Sequence, residues 1–269
     1  MTPEELSKQI RKKGSFLCVG LDTDMDRIPE HLKKEKDPIF AFNRAIIEAT
    51  QEYAVAYKPN LAFYESLGPK GWDSLAKTME IIPKEIFTLA DAKRGDIGNT
   101  SRMYAKTFFE TYDFDGVTVA PYMGKDSVSP FLSFKDKWVF LLALTSNPSS
   151  QDFQHHSDEG EALYEKVLKK GKAWDEESAG HLGFVVGATQ ASSLAHIRSI
   201  VPDSYLLIPG VGAQGGDLDA VCAHGKNQSG EGMLINSSRG IIYAGSGKDF
   251  AEEAGNQARH LQSTMKGYL

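Results

Sequence analysis

Eight short apolar runs, separated by longer amphipathic stretches, restrict what this chain can fold into more than any other feature. They are Phe16 to Leu21, Ala54 to Lys58, Ile86 to Asp91, Gly116 to Ala120, Val139 to Leu144, Gly183 to Val186, Tyr205 to Ile208 and Met233 to Asn236. Each has strand length and is bounded by polar residues. Helices are expected between and after them, at Pro38 to Gln51, Asn99 to Tyr112, Gln190 to Ile200 and Asp249 to Met265. In the last, Phe250, Ala254, Ala258, Leu261 and Met265 recur every three or four residues, as a helix covering a sheet requires. Strand and helix in alternation imply right-handed βαβ units and a parallel sheet. No repeat, low-complexity tract or Pro/Gly/Ser-rich linker interrupts them. The expectation is an α/β chain closed into a (β/α)8 TIM barrel, with residues 1–269 as one domain, rather than an open doubly wound sheet. Functional side chains then belong at the C-terminal ends of the strands, where the βα loops form one face.

Charge and composition narrow the partners. A net charge of −6 over 269 residues leaves no basic surplus for a nucleic-acid backbone, although one arginine can hold a single phosphate. The two cysteines, Cys18 and Cys222, lie far apart without a partner motif, so neither a disulfide framework nor a zinc site is expected. Cys18 falls in an apolar run and reads as a buried small hydrophobe. Met1 to Lys13 reads as an amphipathic helix rather than a signal peptide, and no apolar run approaches the roughly 20 residues of a membrane span. A soluble, cytoplasmic protein without a metal or membrane partner is expected.

The polar residues at the strand ends carry the chemistry. In Leu89-Ala90-Asp91-Ala92-Lys93-Arg94-Gly95-Asp96, strand alternation puts Phe87, Leu89, Asp91 and Lys93 on one side. If that side faces the barrel interior, a carboxylate and an ammonium reach its mouth together, with Asp96 one turn beyond. An ammonium held by carboxylates stays protonated and can serve as a general acid; a purely structural salt-bridge cluster is the competing reading. The first strand ends in Asp22 and Asp24, the second in Lys58-Pro59-Asn60, the fifth in Thr145-Ser146-Asn147. Turn chemistry explains any one of these, but their convergence on one face is harder to assign to turns. Pro209-Gly210-Val211-Gly212-Ala213-Gln214-Gly215-Gly216 contains a formal G-x-G-x-x-G, yet it lies late in an eight-unit chain, which suits a phosphate-gripping loop better than a dinucleotide fingerprint. After the eighth strand, Arg239 and Gly240 stand where barrels bind phosphate. His155-His156 lacks a third ligand and reads as solvated loop, and Trp174 reads as packing.

At these residues the chain resembles the orotidine 5'-phosphate decarboxylase family, in its longer bacterial branch. Asp91-Ala92-Lys93-Arg94-Gly95-Asp96-Ile97-Gly98-Asn99-Thr100 is similar to that family's catalytic signature, and Pro209 to Asp217 to its phosphate loop. The resemblance runs over nearly the whole chain. It implies a cofactor-free decarboxylation of orotidine 5'-monophosphate to uridine 5'-monophosphate in pyrimidine biosynthesis. Lys93 would protonate C6 and Asp91 would sit near the departing carboxylate. Asp96, with Ile97 and Thr100, would reach the neighbouring site of a homodimer. Asp22 and Lys58 would bind ribose, Ser146 the pyrimidine edge and Pro209 the base pocket. Gln214, Arg239 and Gly240 would hold the phosphate. Ser149 to His181 is longer than in the compact branch, and no role is carried across for it. A magnesium-dependent sugar-phosphate decarboxylase on the same barrel would need an acidic ligand where this chain has Lys58. A non-catalytic nucleotide-binding module would have no use for the Asp91, Lys93 and Asp96 set.

Overall fold

Parallel strands joined by helices close into a ring in the computed structural model, which describes residues 1–188, 191–211 and 217–269. The strands are β1 (Leu17–Leu21), β2 (Ala56–Pro59), β3 (Phe87–Arg94), β4 (Gly116–Val119), β5 (Trp138–Leu144), β6 (His181–Val186), β7 (Leu206–Pro209) and β8 (Met233–Ser237). Each pairs in parallel with its neighbours in sequence, and β8 returns to β1 with Leu17 opposite Ile235. The (β/α)8 barrel expected from the alternation is therefore the fold, with strand limits within a few residues of the apolar runs.

The outer layer comprises α1 (Pro3–Lys13), α2 (Pro38–Thr50), α3 (Leu61–Glu65), α4 (Pro69–Ile81), α5 (Gly98–Lys106), α6 (Lys125–Leu132), α7 (Leu163–Asp175), α8 (Ala191–Ile200), α9 (Leu218–His224), α10 (Arg239–Ile242) and α11 (Phe250–Lys266). Local chemistry sets several of their starts. Thr2 and Glu5 form a reciprocal capping box ahead of α1, and the Asp37 carboxylate caps α2 by accepting from Phe40 N at 3.1 Å. Each cap satisfies a donor the helix leaves unpaired and is worth about 1 kcal/mol. On α11, Phe250, Ala254, Ala258 and Met265 are buried, with Leu261 packed partly against the core. No helix among the described residues is long and apolar enough to cross a membrane.

The barrel interior is filled, not open. Trp138 of β5 meets Phe87 of β3 at 5.8 Å and Tyr205, just ahead of β7, at 5.1 Å between ring centroids, contacts that only the inside of the ring allows. Gly116 on the intervening β4 makes room, because a Cβ there would lie 3.0 Å from both Phe87 and Leu89 side chains. Trp138 Nε1 donates to Met1 O at 2.8 Å, satisfying the indole where the apolar floor ends. Buried Arg198, in α8, donates to the carbonyls of Val201, Ser204, Gly225 and Gly232 and so pins the turns that enter β7 and β8. With aromatics closing the N-terminal end, the polar strand ends are left to the opposite mouth.

Candidate active site

Three charged side chains from neighbouring strands form a chain at that mouth. Asp91 Oδ2 accepts from Lys58 Nζ at 2.8 Å, and Asp91 Oδ1 accepts from Lys93 Nζ at 2.5 Å and from Thr118 Oγ1 at 3.1 Å. Asp22 Oδ1 lies 4.0 Å from Lys58 Nζ and has no hydrogen-bond partner among the described residues. Burial alone would raise the Asp91 carboxyl, but the Lys58 and Lys93 charges and hydrogen bonds outweigh it and hold Asp91 well below the ordinary carboxylate range. Lys58 is buried too, which disfavours its charge; the Asp91 and Asp22 carboxylates reverse that and push it above the ordinary lysine range. Both groups are therefore ionised throughout the neutral range.

The backbone that delivers Asp91 and Lys93 is irregular. Ala90 of β3 stands opposite Val117 of β4, but the next pair is Arg94 with Val119, so four steps on β3 span two on β4. Simple alternation, expected to carry the interior face through to Lys93, is broken by this bulge, which re-aims the strand end. Lys93 takes φ 47°, in the left-handed region, while its N–H donates to Thr118 Oγ1 at 2.9 Å. Thr118 thus fixes both the carboxylate and the backbone of the lysine, a role nothing in the sequence signalled. Asp91 has its side chain 11% exposed and Lys93 52%, so the ammonium stands at the rim.

A cavity of roughly 350 Å³ opens beside this chain, within the usual size range of small-molecule sites. Asp22, Lys58, Asp91, Pro209 and Arg239 line it, together with Asp24, Arg27, Asn60, Phe63, Asn236, Ser237, Ser238 and Tyr243. Lys93 is not part of its wall and touches it through Asp91. Asp96 is half-buried, accepts from Ile97 N at 2.8 Å and lies outside the cavity, as do the exposed Ile97 and Thr100. Ser146 and Gly240 do not line it either, and Gln214 lies outside the described residues, as does Gly212.

Two further cations, Arg27 and Arg239, line the same cavity. Among the described residues neither Arg27 nor Arg239 has a carboxylate within ion-pairing distance. Arg27 stacks over the Tyr243 ring at 4.0 Å. The Tyr243 hydroxyl accepts from Asp24 N at 2.7 Å and donates to Asp22 O at 2.9 Å, which ties the β1 loop to the segment after α10. A buried network holds the same loop from behind. Thr23 Oγ1 donates to Asn43 Oδ1 at 2.6 Å, Asn43 Nδ2 to Tyr64 Oη and Thr78 Oγ1, and Tyr64 Oη to Leu21 O. Asp22 is thus flanked by anchored residues on both sides. Sequence reasoning missed Arg27, Tyr243 and Asn43, since each acts across more than 19 residues of chain; a polar Asn43 within the apolar face of α2 was the one visible hint.

Elsewhere one expectation needs correction. His155 is not a solvated loop residue: it is half-buried, its ring lies 5.8 Å from that of Tyr164, and its Nε2 is buried. The loop folds back on itself, through a short turn and a two-stranded ribbon pairing Ser157 with Ala162 and Asp158 with Glu161, and so covers the ring.

Comparison with known proteins places the chain in a family. The model of the orotidine 5'-phosphate decarboxylase / HUMPS family matches residues 15–254. The orotidine 5'-phosphate decarboxylase of Christiangramia forsetii is 57% identical over 272 aligned residues, covering 100% of this chain and 99% of its own. That of Phocaeicola vulgatus is 57% identical over 270, covering 99% and 98%. The solved structure of Leishmania donovani OMP decarboxylase superposes with a TM-score of 0.81 at 36% identity, over 97% of this chain and 98% of that one. A match that starts ahead of β1, runs through all eight strands and ends inside α11 makes this chain a member of the orotidine 5'-phosphate decarboxylase / HUMPS family.

Proposed function

We propose that the chain decarboxylates orotidine 5'-monophosphate to uridine 5'-monophosphate for pyrimidine biosynthesis, without metal or cofactor, and that Lys93 supplies the proton to C6. One observation carries the reading. The Lys58, Asp91 and Lys93 ion-pair chain borders a cavity that Arg27 and Arg239 also line, both free of carboxylates among the described residues. The names of relatives more than half identical over their full length support the choice of substrate. Lys58 at the end of β2 supports it over a metal-dependent sugar-phosphate reaction, because an ammonium cannot ligate magnesium.

In this reading Asp22 and Lys58 bind the ribose hydroxyls, Pro209 and Ser146 face the base, and Arg239 with Gly240 and Gln214 takes the phosphate. The C6–carboxylate bond breaks, carbon dioxide departs, and the electron pair left on C6 takes a proton from Lys93 Nζ, which solvent then restores. No carbonyl adjoins C6 to spread that charge, so a fixed ammonium aimed at it lowers the barrier by preorganised electrostatics. Phosphate binding far from C6 provides free energy for closing the site.

We further infer a homodimer with shared sites, in which Asp96, Ile97 and Thr100 serve the neighbouring subunit. Ile97, Met103, Tyr122 and Met123 support it by exposing large apolar side chains on α5 and the turns around it, Tyr122 to 93%.

The deciding experiment is a decarboxylation assay on EDTA-treated protein, following the pyrimidine absorbance of orotidine 5'-monophosphate. Turnover is expected. Lys93→Ala should lower kcat on the order of 10³-fold or more while uridine 5'-monophosphate still binds measurably. Full activity in that variant would remove the proposed acid.

A further inference from the structure

The stretch between β5 and β6 is the part of the chain that the reading above leaves without a role, yet it reaches directly into the strand end that carries Ser146. Gln154 is the point of contact. Its Oε1 accepts from Thr145 N at 2.7 Å and its Nε2 donates to Thr145 Oγ1 at 2.8 Å, while Thr145 Oγ1 donates onward to Asn147 Oδ1 at 2.6 Å. One planar amide thus grips the backbone N–H and the hydroxyl of the residue before Ser146, and through the hydroxyl reaches the residue after it. Gln154 is itself held: its N–H donates to Ser150 O at 2.9 Å and its carbonyl accepts from Tyr164 N at 3.0 Å.

Ser146, enclosed by this relay, has a buried hydroxyl oxygen with no hydrogen-bond partner among the described residues. It is packed against Gly187 at the end of β6, where a Cβ would fall 2.0 Å from Ser146 Oγ. An unpaired buried hydroxyl is costly, and one held between two anchored neighbours is prepared for a partner that the described residues do not supply.

We propose that Gln154 is a positioning residue for nucleobase recognition: by fixing Thr145 and Asn147 it sets the Ser146 hydroxyl toward the polar edge of the pyrimidine. This rests on the assignment of Ser146 to the base. The segment from Pro148 to Ala162 thereby belongs to the recognition of the base rather than of the phosphate. A carboxamide suits the task because it accepts and donates at once; a glutamate side chain keeps only the acceptor, and alanine keeps neither.

Calorimetry with uridine 5'-monophosphate and with ribose 5-phosphate, which lacks the base, tests this in Ser146→Ala, Gln154→Ala, Gln154→Glu and the double alanine variant. Gln154→Ala should weaken uridine 5'-monophosphate about tenfold and leave ribose 5-phosphate within about twofold, the latter also showing that the barrel is folded. Gln154→Glu should fall between Gln154→Ala and the parent. Ser146→Ala should show the same selective loss, and the double variant should bind no more weakly than Ser146→Ala alone. Equal losses for both ligands in Gln154→Ala, an unchanged Gln154→Ala, or losses that multiply in the double variant would overturn the role of Gln154. If Ser146→Ala itself leaves the two ligands unaltered, the base assignment falls first and the inference with it.

Discussion

Asp91 shows how a single carboxylate organises the site. It holds two ammonium groups and a hydroxyl, and its own charge survives burial because those partners surround it. Polar residues ending apolar runs are conspicuous in a sequence, which is why Asp22, Lys58, Asp91 and Arg239 were legible as site candidates. Thr118 and Tyr243 were not, since a threonine inside a strand and a tyrosine after a short helix look like packing until their partners are known. Arg239 makes the sharpest test at this scale. Being free of carboxylates among the described residues, it is available for a charge-assisted, bidentate pair with phosphate. Arg239→Ala should raise KM for orotidine 5'-monophosphate by about 10- to 100-fold, while a substrate lacking phosphate is nearly unaffected. Equal losses with and without the phosphate, in parallel steady-state measurements, would count against the phosphate assignment.

Among the elements, strand positions followed from apolar runs to within a few residues, because a parallel barrel strand is buried on both faces and reads as a continuous stretch. The bulge in β3 was invisible, since period-two alternation has no signature for two extra residues. His155 was misjudged for a related reason: a polar stretch reads as solvated loop, as His156 and most of its neighbours are, whether or not single side chains such as His155 and Gln154 are turned inward. At the end of α7, Asp175 carries a testable consequence. Burial, aided by Glu176, pushes its carboxyl up to about 6 despite the hydrogen bond from Leu182 N at 2.8 Å. Because the folded value lies above the ordinary 3.8, the folded state binds more protons in that interval, and the contribution to stability is full below 3.8 and lost as pH rises through about 6. Asp175→Asn keeps the acceptor for Leu182 N–H without the buried charge. It should raise the melting temperature by a few degrees at pH 7.5 and leave it unchanged near pH 3.5, as thermal scans at the two pH values would show.

For the whole molecule, the closed ring separates an aromatic floor from a polar mouth, where the cavity opens. The apolar side chains around the β3–α5 turn complete the picture if two mouths face each other. Mixing inactive Lys93→Ala and Asp96→Ala subunits should then restore up to about a quarter of the activity, since one site in each mixed dimer, half of a random population, regains both groups. No recovery in dimers shown to be mixed would argue for sites built from one chain. The backbone at Lys93 adds a tension of its own. A non-glycine residue at φ 47° costs about 1 kcal/mol, so glycine would be the more comfortable occupant of the position that the proposed turnover cannot spare. Selection for a tougher barrel and selection for a faster catalyst therefore pull in opposite directions at one α-carbon.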